Sequence, residues 1–207
     1  MMDPKVLSSA LEWVERQTNL CTKQARMLSN GDQGALLQAF SLMIKPMHIL
    51  ELGAFTGYST ICLSRGLQKG GSIDTIEVYD ELEDIIRGGF RKAGLIDIPG
   101  KEDIAHLHIG DAKMIIPTLD KMYDIVYIDA NKREYIEYYD LVFDKVRHGG
   151  YILADNVLWS GKVLLANPPK DAQTQSIIAF NKKIQEDPRV DNTILPIRDG
   201  INVIYKL

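Results

Sequence analysis

ELGAFTGYST, residues 51–60, is the stretch on which the reading of this chain turns. The apolar run HILEL leads into it, and the helix-compatible run GYSTICLSRGL leads out. Two glycines, Gly53 and Gly57, separate strand from helix. A glycine at the exit of a buried strand lets backbone approach a ligand closely, and a second one permits tight entry into the following helix. The dinucleotide pattern G-x-G-x-x-G is not met. Phe55 stands where its second glycine belongs, and that side chain would obstruct a pyrophosphate.

Outward from this turn, strands and helices alternate. SIDTIEVY, IAHLHIGD, YDIVYIDA and GYILADNV read as further strands. DELEDIIRGGFRKAG, AKMIIPTL, REYIEYYDLVFDKV and TQSIIAFNKKIQED read as helices. The end, NTILPIRDGINVIYKL, reads as two strands joined through Asp199-Gly200, a hairpin signal. Before the turn, Leu7, Leu11 and Val14 fall at helical spacing, and GALLQAFSLMI is a second apolar helix ahead of Pro46. The fold class is α/β: a Rossmann-like, mostly parallel seven-stranded sheet with an antiparallel terminal hairpin and helices on both faces. One domain over 1–207 is expected, with N-terminal helices over 1–45 and the Rossmann-like core over 46–207.

Composition removes several function classes. The 207 residues carry 24 basic against 28 acidic side chains, a net charge of −4, with the positives interleaved among acids. That argues against nucleic-acid binding, which needs clustered Lys and Arg. Cys21 and Cys62 match no metal or redox spacing, and Cys62 reads as a core thiol. No signal peptide is read at the start, and no apolar run approaches the ~18 residues of a membrane span. A cytoplasmic location is expected.

In such sheets ligands bind beyond the carboxyl ends of the strands. Each of the first five strands ends in an acid: Glu51, Glu77, Asp111, Asp129 and Asp155, the last followed by Asn156. Glu77, at the tip of the second strand, is placed to accept hydrogen bonds from both hydroxyls of a ribose. The spacing E-x-G-x-x-x-G resembles the first motif of S-adenosylmethionine (SAM)-dependent methyltransferases, and the sulfonium charge of that ligand suits an acid-rich pocket. Asp129, Asp155 and Asn156 supply hard oxygen donors from two strand tips, a set for Mg²⁺, Ca²⁺ or Mn²⁺ rather than zinc. His48, His106, His108 and His148 read as structural. NPPK, residues 167–170, follows the fifth strand and ends in Lys170 instead of an aromatic, so it reads as a surface loop.

MLSNGDQGALL, LELGAFTGYST, IDANKREYIEYYDLV, GGYILADNVLWSGKV and DPRV with LPIRDG together resemble the cation-dependent O-methyltransferases. This is the group of caffeoyl-coenzyme A O-methyltransferase and its bacterial relatives, with catechol O-methyltransferase more distant. The resemblance spans about residues 25–207. It implies SAM contacts from Met27, Ser29, Glu51, Gly53, Ser59, Glu77, Asp111, Ala112 and Asp129. It implies a divalent cation on Asp129, Asp155 and Asn156, with Asp129 and Asn156 counted among the catalytic groups. Lys132 matches the general base and Trp159 an aromatic lining the acceptor pocket. It also implies a homodimer. Asn131 departs from the second acid many members carry, and the loop after Trp159 lacks the Arg and Tyr of the plant enzymes. These departures favour a small phenolic acceptor over a coenzyme A ester.

The expected reaction is methyl transfer from SAM to one hydroxyl of a vicinal diphenol. An aryl hydroxyl with a pKa near 10 is a poor nucleophile at neutral pH, so cation and lysine would share its activation. An NAD-dependent oxidoreductase and a non-catalytic nucleotide-binding dimer are the alternatives, disfavoured by the glycine spacing and by the oxygen donor set respectively.

Overall fold

The computed structural model describes residues 3–29 and 31–207; Asn30, within the MLSNGDQGALL motif, lies outside the described residues. Seven helices and seven strands are described, the strands forming one sheet in the order β3-β2-β1-β4-β5-β7-β6. The chain divides into two compact units, Met1–Asp111 and Ala112–Leu207.

The first unit holds α1 (Pro4–Cys21), α2 (Asp32–Ile44), β1 (His48–Leu52), α3 (Tyr58–Ser64), β2 (Ser72–Glu77), α4 (Glu83–Ala93) and β3 (Ala105–Ile109). Asp3 caps α1 by accepting from the Lys5 N–H, and Pro4 fills the first turn, where its missing N–H costs nothing. The helical spacing of Leu7, Leu11 and Val14 is the buried stripe of α1. That stripe packs on α4, where Gly88 and Gly89 make room: a Cβ at either would come within 2.5 Å of the Trp13 ring or 2.6 Å of Val14. β1 pairs with β2 and β2 with β3, both parallel. Every residue of β2 is buried, so both of its faces are covered, as a parallel strand requires. Gly94 ends α4 in the left-handed conformation.

The second unit holds α5 (Ala112–Ile115), β4 (Tyr123–Ile128), α6 (Tyr135–Phe143), β5 (Val146–Asp155), α7 (Ala172–Glu186), β6 (Val190–Leu195) and β7 (Ile201–Lys206). β4 and β5 are parallel, and β7 runs antiparallel to both β5 and β6. The expected hairpin is therefore present, and it inserts its second strand next to β5. β4 is buried at every position. Tyr135, Tyr139 and Phe180 pack edge to face, with ring centroids 5.4 and 6.4 Å apart, joining α6 to α7.

The thiol of Cys62 is sealed in the core, and burial pushes its pKa up to about 12. His48 meets the Ser72 hydroxyl at 3.1 Å, His108 meets Asp74 at 3.1 Å, and His148 meets the Leu207 carbonyl at 2.7 Å. Among the described residues no helix is long and apolar enough to cross a membrane.

Candidate active site

In the first unit, the chain leaves β1 through Gly53 at φ 95° and enters α3 through Gly57 at φ 84°. Both values lie in the left-handed region that glycine tolerates without cost. Gly57 has a second reason: a Cβ there would meet Phe90 Cε1 at 2.9 Å and Ile86 at 3.4 Å, so α4 closes on the turn from outside. Backbone strain of about 1–2 kcal/mol adds to an overpacking cost of about 1–3 kcal/mol. Gly57→Ala is accordingly expected to lower stability by about 2–5 kcal/mol, read as a shift of the urea midpoint at unchanged slope. A midpoint within experimental error of the parent would remove this account of the glycine.

Glu77 reaches the same turn. Its Oε2 accepts from the Phe55 N–H at 2.6 Å, and Oε1 accepts from the Val78 and Tyr79 N–H groups at 2.9 and 3.0 Å. The carboxylate thus organises the loop as well as ending β2. Burial raises its pKa, and the three backbone donors pull the other way. Phe55, at φ 48°, is one of the few non-glycine residues in the left-handed region.

Glu51 occupies a different environment from the other strand-end acids. It lies within β1 with 0% exposure, and its Oε2 accepts from the Thr60 hydroxyl and, at 2.6 Å, from the Thr75 hydroxyl. Thr56, in the turn, exchanges a 2.8 Å hydrogen bond with Thr18 of α1. These threonines were not legible as site residues, because a lone Thr in an apolar run carries no spacing signal.

Ser59 is buried in the first turn of α3. Ser29 is buried just after the short turn Ala25–Met27, while Met27 is half exposed. The Ser29 carbonyl and the Tyr58 ring both close on Gly34, which brings that segment to the start of α3. Asp111 is exposed at the end of the first unit, and Ala112 opens α5 in the second.

In the second unit the tips of β4 and β5 bring together Asp129, Lys132 and Asp155. Lys132 Nζ donates to Asp129 Oδ1 at 2.6 Å and to the Tyr135 hydroxyl at 2.8 Å. That hydroxyl lies 3.2 Å from the Ile128 carbonyl and 3.0 Å from the Asp155 carbonyl, the ends of the two strands. Asp155 is 1% exposed; its Oδ1 accepts from the Asn156 N–H at 2.7 Å, and its Oδ2 from the Tyr127 hydroxyl at 2.9 Å. The same Tyr127 oxygen is 3.5 Å from Asp129 Oδ2. Burial first, and then the charge of Asp129, hold the Asp155 carboxyl well above the usual carboxylate range. The Lys132 ammonium, the Tyr127 hydroxyl and the Asn156 N–H pull the other way.

The donor chemistry suits a hard divalent ion: two carboxylates and an amide, with no histidine or cysteine. Among the described residues no group of three or more His, Cys, Asp or Glu is placed to hold a metal ion. Asn156 sits at φ 57°, a conformation that asparagine tolerates better than most residues. Asn131, the departure from the acidic pattern, caps the next turn by accepting from the Arg133 N–H at 3.2 Å. An aspartate would do the same work, so the exchange leaves the backbone entry to α6 intact.

The loop beyond β5 is pinned by the hairpin. Val157 and Leu158 donate backbone hydrogen bonds to the Gly200 and Asp199 carbonyls at 3.1 and 2.8 Å. The Ser160 N–H donates to the Asp199 carboxylate. Trp159 is half-buried in this loop, with Lys162 Nζ 5.9 Å over its ring. The NPPK stretch is loop, as expected.

The sequence pattern that defines the O-methyltransferase family matches residues 5–207. The chain belongs to the O-methyltransferase family. The plant enzyme caffeoyl-CoA O-methyltransferase 2 of Petunia hybrida is 30% identical, over 87% of this chain and 77% of that protein. Tricin synthase 1 of Oryza sativa subsp. japonica is also 30% identical, over 87% of this chain and 75% of that protein. Among solved structures, the Bacillus cereus O-methyltransferase in complex with SAH superposes with a TM-score of 0.84 at 28% identity, covering 100% of this chain and 93% of that one. The SAH-bound Podospora anserina methyltransferase PaMTH1 superposes with a TM-score of 0.83 at 27% identity, covering 100% and 90%. This O-methyltransferase is of the SAM-dependent, caffeoyl-CoA O-methyltransferase type.

Proposed function

We propose that this O-methyltransferase transfers the SAM methyl group to a hydroxyl of a small vicinal diphenol, in a reaction that depends on a divalent cation. The observation that carries the reading is the buried Asp155 beside the part-buried Asp129, with Lys132 bonded to Asp129. The names of the relatives, caffeoyl-CoA O-methyltransferase and tricin synthase, point to aryl hydroxyl acceptors. The loop after Trp159, which carries Lys162 and Lys170 but no Arg or Tyr, favours a smaller phenolic than a coenzyme A ester.

In this reading the glycine turn of the first unit holds the donor, with Glu77 toward the ribose and Gly53 where backbone meets ligand. Met27, Ser29, Glu51, Ser59, Asp111, Ala112 and Asp129 complete the proposed donor contacts. Asp129, Asp155 and Asn156 would hold the cation, and Trp159 would line the acceptor pocket. When bound, the cation supplies positive charge that makes an aryl hydroxyl more acidic. Lys132 takes the hydroxyl proton at Nζ once that nitrogen is neutral, and Tyr135 and Asp129 fix where Nζ sits. The acceptor oxygen then forms a C–O bond to the methyl carbon as the C–S bond breaks. The electron pair goes to sulfur, leaving S-adenosylhomocysteine. Because the donor is already activated, orientation and charge compensation supply most of the rate.

Methyl transfer to catechol or caffeate is expected with Mg²⁺ and is expected to vanish with excess EDTA, returning when Mg²⁺ is restored. Turnover that survives EDTA would reject cation dependence; no turnover with any vicinal diphenol in metal-replete protein would reject the acceptor class.

A further inference from the structure

We propose that Tyr127 is a positioning residue for the cation site, its hydroxyl setting the orientation of the Asp155 carboxylate toward Asp129. This rests on the reading of Asp129, Asp155 and Asn156 as cation ligands. Tyr127 lies in β4 and is 0% exposed, so its hydroxyl must find partners inside the protein. It reaches two acids, Asp155 Oδ2 at 2.9 Å and Asp129 Oδ2 at 3.5 Å. A phenol has a single proton, and the geometry gives it to Asp155, since 3.5 Å is the weak limit for an O–H donor.

The consequence for Asp155 is orientational. Its two oxygens are held by different donors, Oδ1 by the Asn156 N–H at 2.7 Å and Oδ2 by Tyr127. Two fixed donors define the carboxylate plane and direct the remaining lone pairs, which a single donor would not do. Asp129 is held separately by Lys132. Tyr127 thus reaches both acids, and a phenylalanine in its place keeps the core packing while losing that link. Groups that orient metal-binding carboxylates typically account for about 10–100-fold in metal affinity.

The test is direct Mn²⁺ binding to EDTA-treated protein, followed by the electron paramagnetic resonance signal of free Mn²⁺. Tyr127→Phe is expected to weaken Mn²⁺ binding about tenfold or more, while S-adenosylhomocysteine affinity by calorimetry, which reports the intact fold, stays within about twofold. A Tyr127→Phe protein with parental or tighter Mn²⁺ affinity overturns the role of the tyrosine alone. A parent protein that binds S-adenosylhomocysteine but no Mn²⁺ overturns the cation reading and this inference with it.

Discussion

Replacing Asp155 with Asn is expected to lower kcat/KM for a vicinal diphenol by about a thousandfold without lowering stability. On the proposed cation dependence, the loss follows from the charge stabilisation a cation would supply, several kcal/mol, each 1.36 kcal/mol being a factor of ten. The stability arm follows from burial. Asp155 is nearly inaccessible and shares its surroundings with Asp129, so folding disfavours its ionised form. A group whose folded pKa is raised destabilises the folded chain above the unfolded carboxylate pKa of about 4. That penalty is absent below about pH 4, grows as pH rises, and is complete once pH passes the raised folded value. Asparagine removes the charge and keeps one oxygen for Tyr127, at a cost of about 1–3 kcal/mol for the Asn156 N–H that loses its Oδ1 acceptor, set against the larger penalty of the buried charge. In EDTA, denaturation at pH 8 should therefore show the variant at least as stable as the parent, with the difference shrinking at pH 5. A variant that is both inactive and clearly destabilised in EDTA at pH 8 would mean that Asp155 is a structural acid.

Lys132→Ala is expected to reduce single-turnover rate by about 10²–10⁴-fold, the usual share of a positioned acid or base. Affinity for S-adenosylhomocysteine should be little changed, because Lys132 itself is not among the proposed donor contacts. The alanine also strips Asp129 of a 2.6 Å charge-assisted partner, so part of the effect could be electrostatic. Lys132→Arg separates the two causes. Arginine restores a cation beside Asp129 but is not deprotonated near neutral pH, so it should recover stability and not rate. An arginine variant as fast as the parent would remove Lys132 as the proton acceptor and leave it a charge partner only.

How far the site could be read from the chain differs between its two halves. The glycine spacing identified the turn, and the structure adds that α4 closes over Gly57. Its position at a strand tip marks Glu77 as a ligand group; the structure shows it binding the loop backbone at Phe55, Val78 and Tyr79. Glu51 was read with the other strand-end acids, and only its contacts show it enclosed by two threonine hydroxyls. Of the acid pair and its partners, Asp129, Lys132 and Asp155 were legible, whereas Tyr127 and Tyr135 were not. Each tyrosine fits its apolar pattern, Tyr127 in a buried strand and Tyr135 at the start of α6. Nothing local distinguishes a tyrosine whose hydroxyl spans two acids from one that only fills the core.

The order of strands and helices, the terminal hairpin and the acids at the strand tips were determined by the amino-acid sequence itself. Each depends on periods of two or 3.6 residues and on turn chemistry, which are properties of neighbouring residues. The tertiary structure alone decided which hydroxyl meets which carboxylate. Tyr127 and Asp155 are 28 positions apart, on adjacent strands. Their meeting depends on the register between β4 and β5, and register is a relation between segments that no single stretch of sequence contains.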